Sequence, residues 1–369
     1  MTTDRTRGED RVQVLDPDGQ VVDGATVPAL PDETFVSIYR DMRFARHLDE
    51  RLISLQRQGR LGTYSSLAGQ EGSQIGSMYA LDERDWVLYQ YREHGAVVVR
   101  GMLAEYLQYW MGHESANAAL AEVNIAPLNI TIGDHLPHAV GMAWASKLKG
   151  EDKAFVSHFG DGATSEGDFH EAMNFAGVFD TPNVFVCNNN QWAISTPRER
   201  QTASTTLARK AEAYGFEGIR VDGMDPLAMY QVTKRAVEKA REGTDDGTPR
   251  PTMIEAVQYR FGAHTTADDP SVYREEGAVE EWREKDPIPR LERFLRDTGR
   301  LDDERVDAIE TEVESEVTDV IETAEGSAEA DPDDLFADAY DDLPDRLRDQ
   351  REYLRDLRER HGDDALLDD

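Results

Sequence analysis

Two short stretches carry the chemistry. An apolar run at 153–159 ends in Gly160-Asp161-Gly162, and 29 residues after the aspartate comes Asn190, closing the polar triplet Asn188-Asn189-Asn190 behind a second apolar run. If the runs are parallel strands joined by a helix, their carboxyl ends lie side by side, which is where such sheets bind ligands. Asp161 and Asn190 would then offer two oxygen donors at one place. Magnesium prefers about six oxygens at roughly 2.1 Å and usually takes few from the protein, the rest coming from phosphate and water. Glycines on both sides of Asp161 permit a tight turn and close approach of backbone amides to a diphosphate, and the following helix points its positive end there. Ser165 and Asp168 are placed to cap that helix. A Gly-Asp-Gly turn or a polar strand end is commonplace alone; the spacing across one βαβ unit gives the pair its weight.

The elements that must position these residues are legible around them. Phe35, Ile38, Met42, Ala45, Leu48, Leu52 and Leu55 recur every three or four residues behind Pro31, which predicts a long amphipathic helix ended by Gly59 and Gly62. A second helix is expected over 70–81, with Gly72, Gly76 and Ala80 on close-packing faces, then an extended stretch at 86–91 and a helix at 103–112. A long polar connection reaches Ala126-Pro127. From Ile130 the chain alternates: helix 138–149, strand 153–159, helix 166–178, strand 183–187, helix 206–214, strand 218–221, helix 226–241, strand 252–259. This pattern predicts an α/β fold, an open, doubly wound, mainly parallel sheet with flanking helices. Residues 1–30 are expected to be an arm lying on a neighbour, 31–277 the binding domain, and 278–369 an acidic, mainly helical extension for interaction with partners. Val306, Ile309, Val313, Val317 and Ile321 mark the buried stripe of that extension.

Composition excludes several function classes. Seventy-four aspartates and glutamates face 40 lysines and arginines, a formal charge of −34 that repels nucleic acid and anionic lipid. The excess is spread along the chain, and only seven of the basic residues are lysine. Molar salt shortens the screening length to about 3 Å, so a salt-rich, halophilic cytoplasm is expected. The single cysteine, Cys187, permits no internal disulfide, the N-terminus is charged, and no run approaches the ~18 apolar residues that span a bilayer. A cytoplasmic protein is expected.

The motif from Gly160-Asp161-Gly162 to Asn189-Asn190 resembles the thiamine-diphosphate motif. The runs GDGATSEGDF (160–169), NNQWAISTP (189–197), VDGMDP (221–226), YRFGAHTTADDPSVYR (259–274) and RQGRLGTYSSLAGQEG (57–72) are similar to α subunits of the decarboxylating component of 2-oxo acid dehydrogenase complexes. The resemblance extends in order over roughly residues 10–350.

The resemblance implies a set of roles. Asp161, Asn190 and the backbone carbonyl of Trp192 would ligate magnesium. Arg92 would bind diphosphate oxygens, with Tyr91 beside it; the alternative for Arg92 is a surface ion pair with Glu93. His264 would hold phosphate and assist acyl transfer, the alternative being a solvent-exposed loop histidine. Gly160, Gly162 and Ala163 would line the diphosphate site, while Ile132 and Ile194 would hold the aminopyrimidine ring or else be plain core. Gln90, with Thr63 and Tyr64, falls where relatives contact the substrate side chain. The chain departs from many relatives in having Ala263-His264 for a histidine pair, and Asn188 where arginine can contribute. Thr265 and Thr266 occupy a loop phosphorylated in some relatives. The implied activity is decarboxylation of pyruvate or a branched-chain 2-oxo acid and acyl transfer to a lipoyl-bearing acyltransferase, in an α2β2 assembly whose β subunit supplies the glutamate facing the cofactor. Acetoin cleavage and a noncatalytic scaffold are the alternatives.

Overall fold

The computed structural model describes residues 11–326, 332–337 and 340–363. Residues 1–10 of the expected arm and parts of the C-terminal extension lie outside the described residues.

Five parallel strands form the central sheet: β1 (Trp86–Leu88), β2 (Phe155–Gly160), β3 (Asn183–Asn189), β6 (Glu217–Asp222) and β7 (Thr252–Val257), in the order β1-β2-β3-β7-β6. A two-stranded hairpin, β4 (Trp192–Ala193) with β5 (Thr196–Pro197), follows β3. Side-chain alternation assigns the faces. Val184 and Val186 of β3 join one core with α1 (Asp32–Arg57) and α2 (Glu71–Met78), together with α3 (Gly95–Arg100) and α4 (Leu103–Trp110). Phe185 and Cys187 join a second core with α5 (His135–Lys149) and α6 (Gly167–Phe179). Helix α7 (Pro226–Glu242) returns on the first face, so the sheet is covered on both sides as expected for a doubly wound fold.

Local chemistry explains the boundaries. All seven apolar positions expected to form the buried stripe of α1 are buried. Helix α7 begins where Asp225 accepts the backbone N–H groups of Leu227 and Ala228, with Pro226 in the first turn, whose missing donor costs nothing there. Helix α2 is shorter than the expected 70–81 and lies directly against that start. A Cβ on Gly76 would come within 2.4 Å of the Pro226 carbonyl oxygen and one on Gly72 within 2.8 Å of that of Gly223.

Several expectations are corrected. The segment at 206–214 forms a 3-10 turn over Ala208–Tyr214 instead of an α-helix, and the connection after α4 is itself mostly 3-10 at Glu114–Val123. A 3-10 turn, Asp161–Ser165, separates the glycine-flanked aspartate from α6. Neither Ser165 nor Asp168 caps α6: its N-cap is Glu166 and makes no side-chain capping bond. The backbone amides nearest Asp161 therefore belong to the 3-10 turn.

Residues 11–22 are fastened to this chain's own sheet edge. Val12 bridges Val221, Val14 and Leu15 are buried, and Asp225 Oδ2 accepts both of their amides at 2.7 Å. Arg290, fully buried on α9 (Pro287–Asp297), donates to the Leu15 carbonyl and to Asp222 at 3.0 Å. After α8 (Glu276–Arg283), α9 and α10 (Asp303–Glu325) follow. Val306, Ile309, Val313, Val317 and Ile321 of α10 are all buried. At about 1.5–3 kcal/mol per fully buried aliphatic side chain, this stripe outweighs the exposed ion pairs on the same helix. The first compact unit runs to Ala324; the second, from Glu325, contains α11 (Asp334–Ala337) and α12 (Asp345–His361), with Asp333 paired to Arg355. Among the described residues, no helix is long and apolar enough to cross a membrane.

Candidate active site

The tips of β2 and β3 stand side by side, with Gly160 level with Asn188, so Asp161 and Asn190 both fall just beyond the sheet edge. The backbone of Asn190 faces the Asp161 carboxylate. Asp161 is buried; its Oδ2 accepts from Gln201 Nε2 at 2.7 Å, whereas Oδ1 has no partner among the described residues. Burial raises its pKa to about 6, against the hydrogen bond from Gln201. An orphaned, desolvated carboxylate oxygen is what a cation would satisfy. Asn190 Nδ2 donates to Gln70 Oε1 at 3.1 Å, fixing the amide so that Oδ1 points the other way and receives the Trp192 N–H at 3.2 Å. Trp192 sits opposite Pro197 in the small hairpin, and Pro197 has no N–H to offer its carbonyl. The three donors are all oxygens, a set suited to a hard cation such as magnesium.

These tips border a cavity of about 490 Å3. Its wall includes Gly160, Gly162, Ala163, Asn190, Trp192 and Ile194, together with Gln90, Tyr91, Arg92 and His264, and two carboxylates, Glu93 and Glu166. Asp161 lies just beneath this wall. Gly160 and Gly162 have different reasons to be glycine. Nothing lies within 4 Å of a Cβ built on Gly160, whereas one on Gly162 would meet the Ala193 Cβ at 2.9 Å. The first keeps cavity space clear; the second lets the turn and hairpin touch.

Beside the oxygen donors lies a cluster of positive charge. Arg92 donates to the carbonyls of Ser66 at 2.6 Å and His264 at 2.8 Å, and to His264 Nδ1 at 3.1 Å. The ion pair with Glu93 does not form: Glu93 instead accepts from Gln90 N and Asn188 Nδ2. Arg260, buried just after β7, approaches the same Nδ1 at 3.3 Å and donates to the Ile194 carbonyl and the Tyr273 hydroxyl, both at 2.9 Å. Burial lowers the His264 pKa to about 4, helped by both arginines, so the ring is neutral. With Nδ1 accepting, the proton sits on Nε2. Tyr91 meets His264 edge-on at 6.0 Å, and burial raises its hydroxyl pKa.

Other nominated residues divide. Gln90 Nε2 donates to the Thr131 carbonyl at 3.2 Å, and Thr63 also lines the cavity. Tyr64 is buried behind the wall, its hydroxyl donating to Asp49 at 2.8 Å. Asn188 is locked inside a network with Ser73, Gln258 and Glu93. Ile132 is half-buried against the second core, while Ile194 is exposed at the cavity rim in a left-handed conformation, φ 54°. Such a conformation costs a β-branched residue about 1–3 kcal/mol. Thr265 lines the cavity; Thr266 N donates to the Tyr64 carbonyl at 3.0 Å.

Sequence reasoning missed Arg260, Gln201, Gln70 and Asp49. The last accepts three bonds, from Tyr64, Ser66 and Leu67, and so shapes the turn whose Ser66 carbonyl holds Arg92. The available signal was position alone: Arg260 falls inside the resembling run at 259–274 and Gln70 inside that at 57–72.

The chain is similar to the 3-methyl-2-oxobutanoate dehydrogenase subunit alpha of Mycobacterium tuberculosis, 44% identical over 350 residues that cover 93% of each chain. It is also similar to the pyruvate dehydrogenase E1 component subunit alpha of Staphylococcus aureus, 40% identical over 347 residues covering 94% of this chain and 92% of the relative. The family model described as dehydrogenase E1 component matches residues 39–333. Matched by this family model over most of its length and by both relatives nearly throughout, the chain belongs to the dehydrogenase E1 component family, alongside the α subunits of 2-oxo acid dehydrogenases.

Proposed function

We propose that the cavity holds thiamine diphosphate through a magnesium ion, and that the chain, joined to a β subunit, decarboxylates pyruvate or a branched-chain 2-oxo acid and passes the acyl group to a lipoyl-bearing acyltransferase. One observation carries the reading: Arg92 and Arg260, both buried and with no ion-pair partner among the described residues, line the same cavity as Asn190 and the glycines on either side of Asp161. A chain with 74 acidic residues leaves two buried cations unmatched where an anion is to sit.

In this reading Asp161 Oδ1, Asn190 Oδ1 and the Trp192 carbonyl take the cation, and Arg92 takes diphosphate oxygens through its planar fork. The cofactor, when bound, supplies a carbon nucleophile and then an electron sink for the loss of carbon dioxide. His264, neutral with its proton on Nε2, donates a hydrogen bond at the cavity wall and can receive it back, the role of a group handling a proton during acyl transfer. Tyr91 and Gln90 shape the wall beside it, and Ile132 and Ile194 supply apolar contact to the ring system. The chain works in the cytoplasm.

Calorimetry of thiamine diphosphate with magnesium, on the chain alone and with its β subunit, tests the assignment. Asp161→Ala should remove the magnesium-dependent part of binding; unaltered binding in this variant would refute it.

A further inference from the structure

The two oxygens of Asp161 have unequal surroundings. Oδ2 is taken by Gln201 Nε2 at 2.7 Å, while Oδ1 is buried and unpartnered. The same Gln201 nitrogen also donates to the Thr196 carbonyl at 3.2 Å, and the Gln201 carbonyl receives the Ser165 hydroxyl at 3.5 Å. The turn at 161–165 is thus tied to the segment following the β4–β5 hairpin. A second fastening lies at Gly162, pressed against Ala193. Both fastenings lie just after Asp161 on the turn and just after Trp192 on the hairpin side. Gln201 Nε2 must face the carboxylate as drawn, because its own oxygen there would oppose another acceptor.

We propose that Gln201 is a positioning residue that makes Asp161 a one-oxygen ligand and thereby selects magnesium over larger cations. The proposal rests on the reading of the cavity as a cation–diphosphate site. Its physical basis is coordination geometry. Magnesium demands a near-ideal octahedron at about 2.0–2.1 Å, whereas calcium takes roughly six to eight oxygens at about 2.3–2.6 Å and readily accepts both oxygens of one carboxylate. By occupying Oδ2, Gln201 withholds the second oxygen. Partners of this kind, which orient a ligand without touching the metal, typically change metal affinity about 10–100-fold when removed.

The test titrates Mg2+ and, separately, Ca2+ into the chain reconstituted with its β subunit at saturating thiamine diphosphate, following tryptophan fluorescence. Gln201→Met keeps the volume and removes the donor; Gln201→Asn keeps an amide too short to reach, and serves if the first variant folds poorly. Both should weaken Mg2+ about tenfold while Ca2+ binding holds or tightens, so the affinity ratio collapses. An unchanged ratio in Gln201→Met, or equal loss for both ions, would overturn the proposal, equal loss being the mark of a purely structural contact. If wild type binds thiamine diphosphate without any divalent cation, the cavity assignment itself fails, whatever Gln201 does.

Discussion

Arg92 and Arg260 meet at a single atom: their guanidinium groups lie 3.1 and 3.3 Å from Nδ1 of His264. Two like charges so placed repel, and Arg260 shows it, its pKa lowered to about 10 by burial and by Arg92. The imidazole between them must be an acceptor, which fixes its tautomer and keeps it uncharged. A bound diphosphate would relieve the repulsion.

Acid should unfold the protein through its buried imidazoles. Burial lowers His94 and His158 to about 3 and His135 to about 4. The unfolded chain binds these protons near pH 6.5 and the folded chain only far lower, so stability is lost as pH falls from about 6.5 toward 4. The loss near pH 4.5 is about 2–3 kcal/mol for each fully buried ring. His158 makes only one long side-chain contact, to Ser77 at 3.5 Å, and its Nδ1 has no partner. His158→Met should therefore flatten the acid limb of a urea-unfolding series between pH 4.5 and 6.5. A limb as steep as wild type would contradict the assignment.

Asp161 acts with the opposite sign. Its folded pKa, about 6, exceeds that of the unfolded chain, so its contribution is fully present below about pH 3.8 and is lost as pH rises through 6. At pH 7.5 without metal, Asp161→Asn should be more stable than wild type by up to about 3 kcal/mol, with no difference at pH 3.5. Chemical denaturation at the two pH values reads this directly, and a less stable variant at pH 7.5 would count against it. The residue best placed to hold a cation is thus one the cation-free fold would be better without.

The two glycines flanking Asp161 should separate binding from folding. Gly160→Ala places its methyl in open cavity space, so the melting temperature should stay near wild type while affinity for inorganic pyrophosphate with magnesium falls. Gly162→Ala forces a methyl against Ala193 at 2.9 Å, and should lower stability by about 1–3 kcal/mol. The reverse ranking in melting temperature would show that the turn is placed differently.

How much of this was legible depends on sequence distance. Asp161 and Asn190 were readable because one βαβ unit fixes their spacing, whereas the uniformly apolar run at 184–187 does not say which core each side chain joins. The 3-10 turn at Asp161–Ser165 was not, since nothing in the Gly-Asp-Gly run distinguishes it from a direct helix start. The contacts of Gln70 and Gln201 were invisible because each reaches its partner across many residues, Gln70 to Asn190 and Gln201 to Asp161. Residues 11–22 read as part of an arm lying on a neighbour because Val14 and Leu15 are a short apolar pair; the Asp225 carboxylate and Arg290 that hold them come from over 200 residues away.

Charge should make the protein respond to salt in a definite direction. Surface pairs such as Arg300 with Asp32 and Arg305 with Glu33 join α1 to the region around α10, and salt weakens them, but exposed pairs contribute little. Screening of a net charge of −34 is the larger effect. The melting temperature should rise between 0.1 and about 2 M KCl, where the screening length shrinks below ~10 Å; a fall would show that the pairs dominate.

Cys187, on the strand between Phe159 and Glu255, is wholly enclosed, and burial holds its thiol well above the usual range. Alkylating reagents should leave the native chain untouched. Any cysteine engineered onto its surface would then be the sole reactive handle, so a spin label or fluorophore could be attached at one chosen point without first removing the natural sulfur.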